Sequence, residues 1–232
     1  VTDAALTATG SIELGHNAES AGKLTESGNS TINGEIKLTA TGSTVASDGG
    51  LNVTTDIPDH KVVYENGEYK VVPCVYVAQV GELKYESVIE AVQYAITNSI
   101  AEVKIIANSR EVMPTDVEFI LNADLTITAS QAYEVKFYNN GTSYDFVLGS
   151  NNNNIFTIGE NVTFQLEDRV IWMGYYGNNV DVVVKGTLAA YQIWHGADTE
   201  VTSTGTIKST GEAFVMRRGA TLTVEGGKVD AS

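Results

Sequence analysis

The chain has 232 residues, a formal net charge of −15 and an apolar fraction of 43%, enough for a sizeable core and too hydrophobic for disorder. An acidic balance of that size works against duplex nucleic acid and anionic membrane surfaces, since both require clustered Lys and Arg. No run of 18 apolar residues is present to form a transmembrane helix, and the single cysteine, Cys74, excludes an intrachain disulfide. Cys74 sits in a strand-like apolar run, Val71 to Val77, and reads as a small core residue. The start at Val1 and a repeat pattern still running at Val229 predict a piece of a longer polypeptide, with further domains at both ends.

Residues 1 to 55 predict short strands between Gly-, Ser- and Asn-rich turns. Ala5 to Ile12 matches Glu200 to Ile207 in residue type, and Leu38 to Gly42 repeats its motif. From His60 the pattern changes. Lys61 to Val72 holds two alternating strands around Asn66-Gly67, a pair suited to the positive φ values of a type I′ hairpin turn, and Pro73 marks a boundary. The hairpin is expected to close a first module over residues 1–73. A strand over Val75 to Val80 and a turn at Gly81 then lead into one helix near 87–97. Ser87 and Glu90 form a capping-box sequence, and Val88, Ala91, Val92, Ala95 and Ile96 fall on one apolar face. A lone amphipathic helix ahead of a run of strands has an evident structural use, covering the open end of the stack.

The stretch Val75 to Val92 resembles a module that recurs in surface proteins of gut bacteria. There a "VAxVGxxxYxSLxEAV" helix leads into strands, an "LNG" turn and parallel β-helix coils. The Lys61–Val72 hairpin is similar to the segment that closes such modules. Two departures stand out: Leu121-Asn122-Ala123 lacks the usual glycine, and Asn98 to Ala101 replaces the Asp-Gly-Asp-Thr that usually follows the helix. The resemblance implies an extracellular, adhesin-like bacterial surface protein and carries over no catalytic residue.

Beyond the helix, strands are expected at Glu102–Ile106, Val117–Leu121, Leu125–Thr128, Glu134–Tyr138, Phe146–Leu148 and Ile155–Ile158, with Asn-rich turns between them. From Asn161 the chain repeats itself. Gly186, Gly205 and Gly226 stand 19 and 21 residues apart, and a short second strand follows the first three repeats. One such repeat cannot bury its own apolar face, so neighbours must stack. The expected fold is therefore all-β, a right-handed parallel β-helix (β-solenoid) with one short capping helix, and residues 74–232 form its second module.

Aligning Ile171-Trp172, Ile193-Trp194 and Met216-Arg217 predicts an outward column of Trp172, Trp194 and Arg217, with Tyr175, Tyr176, Tyr191 and His195 nearby in sequence. A flat aromatic strip flanked by polar groups suits a sugar ring, and the alternative is ring packing within the fold. Trp172, Trp194, Arg217, Tyr191 and Tyr175 are thus the candidate ligand-binding residues, and Arg217-Arg218 could clamp a carboxylate or sulfate. The best catalytic cluster is Asp168-Arg169 with Asp181, Asp198 and Glu200, whose offsets along the repeats differ, so no catalytic residue is assigned. His16, His60 and His195 lie far apart, and no metal site or cofactor is expected. The expected function is a non-enzymatic bacterial cell-surface module with a glycan-binding aromatic face. Its partners would be a host or dietary glycan or a host surface protein, without nucleic acid or membrane insertion. A polysaccharide-degrading or modifying enzyme and a purely structural spacer are the alternatives.

Overall fold

The computed structural model describes residues 1, 5–16, 20–114, 117–138, 146–174, 179–196, 200–211 and 214–231. It is an all-β chain, 60% strand and 5% helix, with long parallel sheets. Two compact units divide it, Val1–Val75 and Tyr76–Ser232. Among the described residues no helix is long and apolar enough to cross a membrane.

In the first unit, Ala5–Leu14, Thr31–Leu38 and Val53–Thr55 form a parallel sheet in which Ile12 faces Ile36 and Leu14 faces Leu38. Leu6 pairs with Ile32 in the same sheet. Lys23–Thr25 and Thr44–Ala46 form a second parallel pair. The hairpin His60–Glu65/Glu68–Pro73 turns at Asn66 and Gly67, with φ of 53° and 79°, as Asn-Gly requires. Its second strand pairs antiparallel with Thr44–Ala46 and so covers that edge. Ile32, Ile36, Leu38, Val45 and Val71 make the core.

The second unit stacks parallel strands in three in-register runs. The first is Glu102–Ile105, Leu125–Ala129, Ile155–Ile158, Asp181–Val184, Glu200–Ser203 and Thr221–Val224. Ala78–Val80 and Leu83–Tyr85 add antiparallel at its start, so the strand expected from Val75 is shorter than its apolar run. The second run is Ser109–Val112, Tyr133–Tyr138, Val162–Met173, Thr187–His195, Thr206–Ser209 and Lys228–Ala231. The third passes from Glu118–Leu121 and Phe146–Ser150 through the later halves of Val162–Met173 and Thr187–His195 to Phe214–Met216. A register shift between Leu166 and Val170 separates the two halves.

Strand alternation turns one residue in two inward, and in-register stacking lines these up as columns. Leu125, Phe156, Val182, Val201 and Leu222 form one, and Val135, Phe164, Leu188, Ile207 and Val229 another. At the centre Phe119, Phe137, Phe146, Phe156 and Phe164 are all fully buried. Phe119 meets Phe146 edge-on at 4.9 Å, and Phe137 meets Phe164 at 5.0 Å. Burying each ring contributes about 1.5–3 kcal/mol.

Glycine sets how closely the repeats approach at the turn between the first two runs. A side chain on Gly205 would put its Cβ within 2.0 Å of the Gly186 oxygen, and one on Gly227 would lie 2.4 Å from the Gly205 oxygen. Thr187, Thr206 and Lys228 pair in register, so the column is Gly186, Gly205 and Gly227. The repeat alignment that placed Gly226 there is one residue out. Gly226 instead takes the positive φ of the turn, 77°.

The helix is Val88–Thr97, and it buries Val88, Ile89, Ala91, Val92 and Ala95 against the opening strands of the unit. Ser87 Oγ accepts from the Glu90 amide at 3.2 Å, half of the expected capping box. A second carboxylate adds to the cap: Glu111 accepts from Ser87 Oγ at 2.7 Å, from Val88 N at 2.7 Å and from Ile89 N at 3.4 Å.

Candidate functional site

Trp172 and Trp194 are paired directly across adjacent parallel strands of the third run. Their neighbours in that column are Glu118 and Val147 on one side and Val215 on the other. Inward residues flank each tryptophan: Ile171 and Met173 around the first, Ile193 and His195 around the second, all buried. Both indoles are therefore carried on the outward side, where each is half-buried.

The ring centroids stand 4.6 Å apart at an interplanar angle of 27°. That is near the short end of the ~4.5–7 Å range of aromatic pairs, and at so small an angle the rings lie offset-stacked with partial overlap. One face of each indole is thus partly covered by the other, and the column continues to Val147 and Val215.

Arg217 joins the pair by a different route from the expected one. Phe214 faces Ile193, Val215 faces Trp194 and Met216 faces His195. Met216 is therefore not the equivalent of Ile193, and Arg217 is not the third member of the tryptophan column. Its amide bonds the His195 carbonyl at 3.0 Å, just as Gly196 N bonds Met173 O at 2.7 Å and Gly174 N bonds Leu148 O at 2.8 Å. Arg217 thus follows Gly174 and Gly196 in the next column. Its guanidinium carbon lies 5.7 Å from the Trp172 ring and 5.6 Å from the Trp194 ring. A third layer on Trp194 would stand about 4.8 Å further from Trp172 than from Trp194. The near-equal distances put the cation across the flank of both rings, within cation–π range.

The turn after it sets the direction of the second arginine. Ala220 N bonds Arg217 O at 3.1 Å and Gly219 has φ of 84°, which makes Arg217 to Ala220 a tight turn with Arg218 at its tip. Arg217 and Arg218 are both exposed.

The other expected residues lie apart. Tyr191 is 37% exposed, but its ring rests on Gly211, whose added Cβ would fall 2.0 Å from Tyr191 Cε2. Among the described residues no ring contact links it to the tryptophans. Tyr175, Tyr176 and Asp198 lie outside the described residues, as does the side chain of Asp168. His195 faces inward with no exposure, in a column with Phe119, Leu148, Met173 and Met216. It is a core residue and does not belong to the aromatic face. Asp181 has a structural task, accepting from the Glu200 amide at 2.8 Å. Among the described residues no three His, Cys, Asp or Glu side chains are grouped to hold a metal.

One cation–aromatic cluster was not foreseen. Arg110 stacks 4.1 Å from the Tyr138 ring and bonds Glu167 at 2.9 Å. The hydrogen bond and charge of Glu167 raise the arginine pKa above its already high value. The pairing of Ser109–Val112 with Val135–Tyr138, and of Tyr133–Phe137 with Val162–Leu166, brings the three together, and aligning those strands was the available signal. The charge of Arg110 is matched by Glu167.

No protein-family model matches the chain, and no curated protein or solved structure matches it either.

Proposed function

We propose that Tyr76–Ser232 is a parallel β-helix module of an extracellular bacterial surface protein. It performs no catalysis and carries a recognition face at Trp172, Trp194 and Arg217. The observation behind this reading is the in-register stacking of three strand runs that brings two tryptophans and an arginine together at the surface. Stacked coils give a stiff body on which such a face is held in place without a ligand. The resemblance of Val75 to Val92 to gut-bacterial surface modules supports the extracellular setting.

A second reading, a purely structural stalk, draws on the same pair. Two indoles stacked on each other also staple adjacent coils. A glycan-array screen of the folded protein separates the two. Binding that disappears in Trp172→Ala/Trp194→Ala supports the recognition face, and no binding to any glycan favours the stalk. Release of shortened oligosaccharides from a bound polysaccharide would instead favour the enzyme alternative.

A further inference from the structure

We infer that the strand Ala5–Leu14, at the outer edge of the first unit, is a seat for the last strands of the second unit of another copy, so that copies of this chain join head to tail. Such a contact needs nothing of the Trp172–Trp194 face.

The first ground is which strand edges the chain covers for itself. In the first unit the hairpin His60–Glu65/Glu68–Pro73 pairs along Thr44–Ala46. In the second, the helix and the strands Ala78–Val80 and Leu83–Tyr85 stand at the opening strand Glu102–Ile105. The opposite edges are bare among the described residues. Ala5–Leu14 pairs only with Thr31–Leu38, and Thr221–Val224 and Lys228–Ala231 pair only with Glu200–Ser203 and Thr206–Ser209. A bare strand edge is a template for another strand. The inward columns also run out there: Ile207 has no exposure, whereas its partner Val229 is 37% exposed.

The second ground is glycine. A Cβ on Gly186, Gly205 or Gly227 would strike a carbonyl of the preceding repeat, Gly159 O, Gly186 O and Gly205 O in turn. Gly34 follows the same pattern in the first unit, where a Cβ would stand 3.2 Å from Ala8 O and 3.5 Å from Gly10 O. Gly10 is the equivalent of Gly205 when Ala5 to Ile12 is aligned with Glu200 to Ile207. Its added carbon would meet nothing within 4 Å, and its φ is not positive. Neither its backbone nor its own unit requires glycine, whereas a strand laid on the open side would.

The occupant follows from the register. Val201 and Ile207 pair with Leu222 and Val229, and the same alignment sets Leu222 on Leu6, Gly227 on Gly10 and Val229 on Ile12. Leu6 and Ile12 face Ile32 and Ile36, so two apolar columns would run from one copy into the core of the next. The two surfaces differ, so the contact is heterologous, and each pair keeps one free edge of each kind.

The test is sedimentation velocity on the whole chain at physiological salt, over a roughly thousandfold range of concentration. The expected result is growth with concentration to dimers and longer species. Gly10→Ala blocks only the seat and Val229→Lys only the opposite edge, and each alone should weaken association about tenfold or more. Circular dichroism at the lowest concentration shows each variant folded. Val224→Lys, at a 44% exposed position of the same edge, replaces Val229→Lys if that variant fails to fold. Mixed in equal amounts, the two variants should form a pair that grows no further, since the intact edge of one meets the intact seat of the other. A chain that stays monomeric at every concentration overturns the inference. Association that either variant leaves unchanged overturns it too, as does a mixture that forms no pairs.

Discussion

Trp172 and Trp194 face each other across one strand spacing, 4.6 Å between ring centroids and 27° between planes. Two indoles held that close and that nearly parallel couple their electronic transitions. Since the chain has no other tryptophan, the far-ultraviolet circular dichroism should show an exciton couplet. Replacing either residue with Phe should abolish the couplet while leaving the β-sheet signal. Trp172→Ala should also cost about 1–3 kcal/mol in urea unfolding, below the figure for a fully buried ring because the side chain is only half covered.

The glycine column gives the sharpest stability prediction. Gly205→Ala would place a methyl 2.0 Å from Gly186 O and 2.5 Å from Lys185 O, both backbone atoms that cannot move alone. Loss of about 4 kcal/mol or more is expected, or failure to fold. Gly10→Ala is the control, with nothing within 4 Å of the added carbon and an expected change within about 0.5 kcal/mol. Thermal melts of the two proteins compare them directly.

Glu111 supplies the carboxylate that occupies the start of the helix. Glu111→Ala would leave the Val88 and Ile89 amides without that acceptor, at a cost of about 1–3 kcal/mol. Hydrogen exchange should show the loss concentrated in the first turn of Val88–Thr97. Glu90→Ala should matter much less, because Glu90 contributes its backbone amide to the cap and that amide survives the substitution.

On the last strand, the hydrogen bond from Lys228 to Asp230 at 2.9 Å, and then the lysine's charge, hold the Asp230 carboxyl below the usual carboxylate range. An Asp depressed in the folded state adds stability above its unfolded pKa and loses it as pH falls through the folded value. The lysine side chain is 68% exposed and the aspartate 33%, so solvent screening puts the effect in a titration curve more than in a melting temperature. The NMR titration of Asp230 should move up toward the ordinary range in Lys228→Ala. An unmoved midpoint would sink the assignment.

Much of this protein could be read from residue order alone because the signals are local. Asn66-Gly67 specifies a turn through its own backbone preferences, and the hairpin sits where the pair predicts. The spacing of Val88, Ala91, Val92 and Ala95 specifies a helix face, and those four side chains are buried. The 22-residue step from Trp172 to Trp194 specified their pairing, since both repeats carry the same Ile-Trp dipeptide.

What tertiary structure alone decided has one common physical origin. Alternation along a strand has a period of two, so sliding a strand by two residues keeps every inward residue inward. Met216 and Phe214 are therefore equally good partners for Ile193 on paper, and only the hydrogen-bonded register selects Phe214. That same shift moves Arg217 from the top of the tryptophan stack to its flank. The helix cap from Glu111, more than twenty residues beyond Ser87, exists only once the strands have stacked. How closely the two indoles stand was likewise set by the spacing between strands, a distance that residue order does not contain.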